Sequence, residues 1–248
     1  MKSLEALKLW YRAYRYQKRN DRGGIAYIHQ TVKSGDTVFD IGAHKGGYLY
    51  HMMKKAGPTG RLVGFEPQSN LFTYLTEMKN LFHWHHVTLE PVALSDVKGE
   101  VTLFIPSENE SGASSPGASI VQHKLSDGNG SKETVNTETL DAYCTQHHLT
   151  PHFLKIDIEG NELNVLKGGI EILKSSHPKI LIEIEERHVG KEQVQETFSF
   201  LENLGFKGRF IRGTEYHPLS EFSFEMHQDH EKSKPYCNNF IFDSTHAE

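Results

Sequence analysis

Cysteine is almost missing from this chain: Cys144 and Cys237 are the only two in 248 residues. Two thiols cannot make a disulfide framework, and their separation matches no metal-ligand spacing, so both read as reduced structural residues. Long apolar runs are missing as well. No stretch approaches the roughly 18 apolar residues that a bilayer-spanning helix needs. Charges interrupt every early apolar run before it reaches the roughly 7 residues of a secretory signal core. These absences lead to the expectation of a cytoplasmic protein. An excess of positive charge is lacking too: 27 Lys and Arg stand against 32 Asp and Glu, a formal net charge of -5. That balance argues against nucleic acid as the main partner, because phosphate binding needs a concentrated basic surface. What is left is an ordinary globular composition, 37% hydrophobic and 24% charged. Its length suits one large α/β domain and is short for two.

One local exception stands at the start. Lys8, Arg12, Arg15, Lys18 and Arg19 surround Trp10, Tyr11, Tyr14 and Tyr16. The first reading of this stretch is a solvated helix that packs its aromatics on the domain. The second is a peripheral contact with anionic lipid or another polyanion. Residues 1–30 read as an N-terminal helical extension and 31–248 as the main domain. The sequence carries no signal of oligomeric state.

From about residue 36 to 94, short β-rich runs alternate with helical stretches, the pattern of βαβ units and a parallel sheet. Strands are expected at 37–41, 61–66 and 87–94, with helices from Gly47 to about 55 and from 69 to 80. The stretch from about 107 to 132 is rich in Ser, Gly and Asn and contains Pro116, so it reads as a long loop that could close over an acceptor. Further helices are expected at 139–146, 162–173 and near 193–204, and strands at 153–158, 179–185, 206–211 and 239–242. The result is a doubly wound, mostly parallel sheet of about seven strands, its last pair antiparallel, in a Rossmann-like α/β fold.

Ligands of such sheets bind outside the carboxyl ends of the strands, where the winding reverses. Asp40-Ile41-Gly42-Ala43-His44-Lys45-Gly46-Gly47 lies at the end of the first strand. Its glycines permit close backbone approach and the turn into a helix, whose exposed amides suit a carboxylate. Glu66 ends the second strand, 26 positions after Asp40, where an acid can accept hydrogen bonds from both ribose hydroxyls. Turn and acid together favour a nucleoside cofactor. Gly42 followed by Gly46 is not the tighter G-x-G-x-x-G of dinucleotide sites, which turns the choice toward S-adenosyl-L-methionine (AdoMet).

The blocks Asp40 to Gly46, Phe65-Glu66-Pro67, Ala93-Leu94-Ser95-Asp96, Thr139-Leu140-Asp141, Leu154 to Glu162 and Leu166-Lys167-Gly168 together resemble the FkbM-type methyltransferases, over roughly residues 31 to 188. The resemblance implies an AdoMet-dependent O-methyltransferase acting on hydroxyls of sugars, glycans or related natural products. Position by position it implies that Gly42, His44 and Gly46 meet the amino-acid end of AdoMet. Glu66 then meets the ribose, and Ala93, Leu94 and Ser95 lie beside the adenine. The family usually has Asn where this chain has His44, an imidazole that keeps a hydrogen-bond donor and suggests some pH dependence.

Methyl transfer to a hydroxyl is helped by a general base within hydrogen-bond reach. Asp157 and Glu159 straddle the end of the fourth strand, and Glu183, Glu185, Glu186 and His188 lie at the end of the fifth. Asp157 or Glu159 is the expected base, with His188 next and Lys155 shaping the site. The same acids could hold Mg²⁺ through oxygen ligands, so a divalent metal stays open, with no metal ligand assigned. Two other functions also stay open. One is a metal-dependent hydrolase built on Asp157, Glu159 and Glu185, which leaves Glu66 and the glycine turn without a purpose. The other is a non-catalytic binding protein on the same fold.

Overall fold

The computed structural model describes residues 2–106, 130–229, 231 and 234–244. The proposed loop therefore lies, from 107 to 129, outside the described residues. Its expected end at 130–132 belongs to a strand.

The centre is an eight-stranded sheet, one strand larger than the pattern suggests. Its parallel core comprises β1 (Thr37–Ile41), β2 (Arg61–Phe65), β3 (Val87–Glu90), β7 (Phe153–Ile156) and β8 (Lys179–Glu183). β9 (Phe206–Arg212), β10 (Glu215–Pro218) and β11 (Asn239–Ser244) complete it, in the order β10-β9-β11-β8-β7-β1-β2-β3. β11 runs antiparallel to both β8 and β9, as expected for the last pair, and β10 folds back on β9. The chain steps outward from β1 through β2 to β3, then returns to the other side of β1 as β7 and β8. The winding therefore reverses between β1 and β7, and a ligand crevice belongs at their carboxyl ends.

Both faces of the sheet are covered, which is why the core strands read as unbroken apolar runs. Side chains alternate along each strand. Phe39, Leu154, Ile180 and Ile182 enter one buried cluster, while Val38, Phe153 and Leu181 enter the other. Against the second face lie α1 (Lys2–Arg15), a π-helical turn (Tyr16–Asn20), α2 (Arg22–Thr31) and α3 (Gly47–Ala56). Ile25 and Ile28 of α2 share that cluster with Val38 and Leu62. α1 packs through Leu9 and Ala13, whereas Trp10, Tyr11 and Tyr14 are exposed. This corrects the reading in which the helix packs its aromatics on the domain; only Tyr16, in the following turn, packs inward.

The remaining differences have local causes. Pro91 has no amide to continue a ladder, and the run from 87 to 94 splits into β3 and the two-residue β4 (Ala93–Leu94). β4 joins a separate three-stranded sheet with β5 (Gly99–Pro106) and β6 (Gly130–Glu138). The expected helix over 162–173 is two, α6 (Glu162–Lys167) and α7 (Ile170–Ser176), parted at Gly168-Gly169. α4 (Ser69–Leu81), α5 (Leu140–His147) and α8 (Glu186–Asn203) follow the pattern, α8 starting earlier than expected and containing a non-helical Gly190. A short α9 (Phe224–His227) precedes β11.

Candidate active site

A cavity of about 310 Å³ opens at the carboxyl ends of β1, β2, β7 and β8, where the winding reverses. Its floor is the turn after β1. Gly42 has φ +85, and a Cβ there would lie 1.9 Å from the carbonyl oxygen of Asp157. No other residue fits between the neighbouring strand ends. The amides of Gly42 and Ala43 both donate to the carbonyl of Phe65 at 3.0 Å, and the Gly46 amide closes the turn on Ala43 at 2.8 Å. Gly46, at φ +76, then starts α3.

His44 also sits in the left-handed region, at φ +46. Asn and His are among the few side chains that tolerate it, a backbone reason for one to stand where the other is usual. Its amide donates to Glu66 Oε2 at 2.7 Å, and the Gln68 amide donates to Oε1 at 3.0 Å. The acid at the end of β2 is thus fixed by two backbone groups, with lone pairs left over. Glu66 is buried, and burial raises its pKa to about 7 against the pull of those amides. Burial lowers that of His44 to about 4, helped by Lys45. The imidazole is neutral near physiological pH, so its titration does not supply the pH dependence its presence suggests. Among the described residues its buried Nε2 has no hydrogen-bond partner, and the side chain lines the cavity.

The opposite wall is charged. Lys155 is buried on β7, with Nζ 2.9 Å from Asp157 Oδ2, 3.9 Å from Asp40 Oδ1, and 4.5 Å from the centre of the Tyr48 ring. Burial alone would discharge it, but the two carboxylates outweigh that and hold it ammonium. Asp40 is fully buried behind the turn, and neither of its oxygens has a hydrogen-bond partner among the described residues. Burial raises its pKa to about 7, with Lys155 and a weaker influence of the Leu49 amide opposing. Glu159, at φ +61, places Oε2 3.1 Å from His188 Nδ1.

Glu183 and Glu185 form a coupled pair. The Asn238 amide donates to Glu183 Oε1 at 2.8 Å and to Glu185 Oε1 at 3.1 Å. Glu185 is also held by Arg187 and by the Tyr236 hydroxyl at 3.1 Å. Burial and nearby Asp157 push Glu183 well up, so it keeps the proton the pair shares. Burial pushes Glu185 up as well, but its hydrogen bonds and Arg187 win and hold it ionised.

The segment after β7 is a built turn. Buried Glu162 accepts from the amides of Gly160 at 2.9 Å and Ile158 at 3.4 Å. The Asn161 side chain donates through Nδ2 to the Leu94 carbonyl at 3.2 Å, tying this turn to β4. Of the residues singled out by sequence, Gly42, His44, Glu66, Ala93, Leu94, Lys155, Asp157, Glu159, Glu183 and Glu185 line the cavity. Asp40, Gly46, Ser95 and His188 stand behind that lining. Tyr16, Tyr48, Asn161, Arg187 and Asn238 line it without having been foreseen. Asn161 carried a signal, as part of the block 154–162, and so did Arg187, which stands between Glu186 and His188. The cluster Asp157, Glu159, Glu185 lacks metal-ligand geometry: among the described residues, no group of three or more His, Cys, Asp or Glu could hold an ion.

Comparison with known proteins supplies an independent line. The sequence model of the methyltransferase FkbM domain matches residues 40–207. Among curated proteins, the hexuronic acid methyltransferase AglP of Haloferax volcanii is 28% identical over 158 residues, which is 63% of this chain and 59% of that protein. Among solved structures, methyltransferase FkbM from Methylobacillus flagellatus KT aligns with a TM-score of 0.54 at 13% identity, covering 96% of this chain and 54% of that one. An rRNA methylase from Streptococcus thermophilus aligns with a TM-score of 0.52 at 10% identity, covering 92% of this chain and 97% of that one. At such identities the two structures share the fold. The chain spans a little over half the length of AglP and of the Methylobacillus protein.

Proposed function

The chain belongs to the FkbM methyltransferase family, whose domain it carries over residues 40–207, and from this premise we propose that it transfers a methyl group from AdoMet to a hydroxyl of a sugar or sugar-containing acceptor. The carrying observation is a single cavity that joins the Gly42 turn and Glu66 to the acids at the ends of β7 and β8. The residues present fit AdoMet. Gly42 and His44 would face its methionyl end, with Gly46 shaping the turn from behind. Glu66 would take the ribose hydroxyls on its free lone pairs. Ala93 and Leu94 would flank the adenine, with Ser95 supporting them and Leu103 of β5 adding apolar wall. When bound, AdoMet supplies a methyl group activated by its sulfonium. We take 31–248 as the catalytic domain and 1–30 as an extension that contributes Tyr16.

The protein's own part is to hold the acceptor in line and to take its proton. We assign the proton acceptor to Asp157 or Glu159. Lys155 positions Asp157, and His188 positions Glu159. AglP is named for a hexuronic acid, whose ring offers both hydroxyls and a carboxylate. The charges favour the hydroxyl: Glu66, Asp157, Glu159 and Glu185 line this cavity against Lys155 and Arg187, beside a protonated Glu183. A second carboxylate would meet repulsion there, while a neutral hydroxyl needs the bases it finds.

Incubation with methyl-labelled AdoMet and a panel of neutral sugars and uronic acids tests this reading. Label in an alkali-stable methyl ether is expected. Label found solely in an alkali-labile methyl ester would sink the hydroxyl assignment, and absence of transfer to any sugar would sink the acceptor class. Asp157→Asn and Glu159→Gln separate the two bases: the one that acts should lose kcat by about 10²–10⁴-fold with AdoMet affinity kept.

A further inference from the structure

The outer face of α1 carries apolar side chains that the domain does not cover. Successive residues of an α-helix are about 100° apart, so Leu4, Leu7, Trp10, Tyr11 and Tyr14 share one arc. Leu9 and Ala13 point the opposite way, into the core, at 0% and 1% exposure. The outer five are 49–58% exposed, and they are five of the eight large exposed hydrophobics among the described residues. A surface helix ordinarily turns one apolar stripe inward and presents polar residues outward; this one is apolar on both sides. Beside it, Phe82 is 37% exposed and stacks on Trp84 at 5.2 Å, bordering an apolar groove of about 280 Å³ reached by Trp10 and Met53.

The charge around that face selects its occupant. Residues 1–22 hold seven Lys and Arg against two acids, in a chain whose formal net charge is -5. Lys8, Arg15, Lys18 and Arg19 are exposed on or just beyond the same helix. Two copies meeting through these helices would bring like charges together. An anionic lipid surface would meet the same charges with attraction and the aromatic rings with an interface that suits them.

We propose that α1 is an interfacial helix that lays its outer face, Leu4, Leu7, Trp10, Tyr11 and Tyr14, on an anionic lipid bilayer, with the basic residues at the headgroups. The helix does not float free of the enzyme. Arg12 Nη1 donates to the Lys45 carbonyl at 2.7 Å and to the Tyr74 hydroxyl at 3.2 Å, and the turn that follows puts Tyr16 in the cavity wall. Lipid contact and active site thus share one continuous element.

The chain has two tryptophans, and Trp84 is buried while Trp10 is exposed. A Trp84→Phe variant therefore reports on α1 alone. On vesicles of equal parts phosphatidylcholine and phosphatidylglycerol, its emission should shift to the blue and rise, and salt should reverse the change. Phosphatidylcholine vesicles should leave it unmoved. Arg15→Glu with Lys18→Glu should weaken partitioning by about tenfold or more, as should Leu7→Ser with Tyr14→Ser. Unchanged thermal denaturation midpoints in both pairs exclude misfolding. The proposal fails if the emission does not respond to the anionic vesicles or responds equally to the neutral ones. It also fails if sedimentation shows a dimer that Leu7→Ser with Tyr14→Ser dissolves. None of these readouts uses methyl transfer, so the proposal and the enzymatic reading stand or fall separately.

Discussion

Glu66 concentrates the cofactor argument in one side chain. Its carboxylate is already oriented by the His44 and Gln68 amides, so a ribose meets an acceptor that needs no rearrangement. Replacing it with alanine should weaken AdoMet binding by about 1–3 kcal/mol, the range for losing charge-assisted hydrogen bonds in a buried setting. Calorimetry that shows unchanged affinity would mean the ribose lies elsewhere. The same residue carries a pH signature. Burial raises its pKa to about 7, and only the ionised form accepts from both hydroxyls. AdoMet affinity should therefore weaken as pH falls through neutrality, and Glu66→Gln should flatten that dependence. An affinity indifferent to pH in the wild-type protein would contradict it. This residue and Gly42 were legible in the sequence because their meaning is local, an acid and a turn each at the end of a recognisable strand. Tyr16 and Asn238 were not, since distant segments carry them to the cavity and nothing beside them in the chain marks the destination; Arg187 was passed over although Glu185, Glu186 and His188 stand beside it.

Among the elements, several of the blocks that carry the family resemblance hold the scaffold. Thr139 caps α5 by accepting from the Ala142 amide at 3.1 Å. Asp141 reaches across to the start of α7, where it accepts from the Glu171 and Ile172 amides at 3.0 and 2.9 Å. Gly168, at the end of α6, lies so close to β4 that a Cβ would stand 2.1 Å from the Ser95 carbonyl oxygen. Its φ of -74 is open to any residue, so Gly168→Ala isolates the contact from backbone strain. We expect a loss of about 1–3 kcal/mol in stability from overpacking. Displacement of Ala93 to Ser95 should also weaken AdoMet binding, with Glu66 untouched. Stability loss with full cofactor affinity would show that β4 does not border the adenine. The parallel strands were readable because burial on both faces writes unbroken apolar runs. β5, β6 and β10 were not: β5 is an edge strand of the separate small sheet, β6 is mostly exposed at its start, and β10 is an edge strand ending in Pro218. The single expected helix over 162–173 failed because leucines on both sides of Gly168-Gly169 keep its periodicity through the break.

For the whole molecule, the placement of acids predicts that the unliganded protein loses stability as pH rises through neutrality and that the liganded protein loses less. Asp40, Glu66 and Glu162 are all buried, and burial raises each to about 7. Between the ordinary carboxyl range and about 7, the folded state binds more protons than the unfolded chain, so the stability these groups contribute is full in acid and is lost as pH rises through 7. Buried and half-buried histidines act the other way. His44 is lowered to about 4, and His29 and His51 are lowered as well, all chiefly by burial. Their contribution grows with pH and is complete near the ordinary histidine value of about 6.5. Above that point only the carboxyls still titrate. Denaturation midpoints of the unliganded protein should therefore fall between about pH 6.5 and 8, and Asp40→Asn should shallow the fall by removing one of the three. Saturating AdoMet adds stability in proportion to the logarithm of its concentration over Kd, and Kd tightens over the same interval as Glu66 ionises. The gap between the liganded and unliganded curves should then widen with pH. A constant gap would separate Glu66 from the cofactor, while an unliganded midpoint that rises across the interval would show that these buried carboxyls do not govern the fold's response.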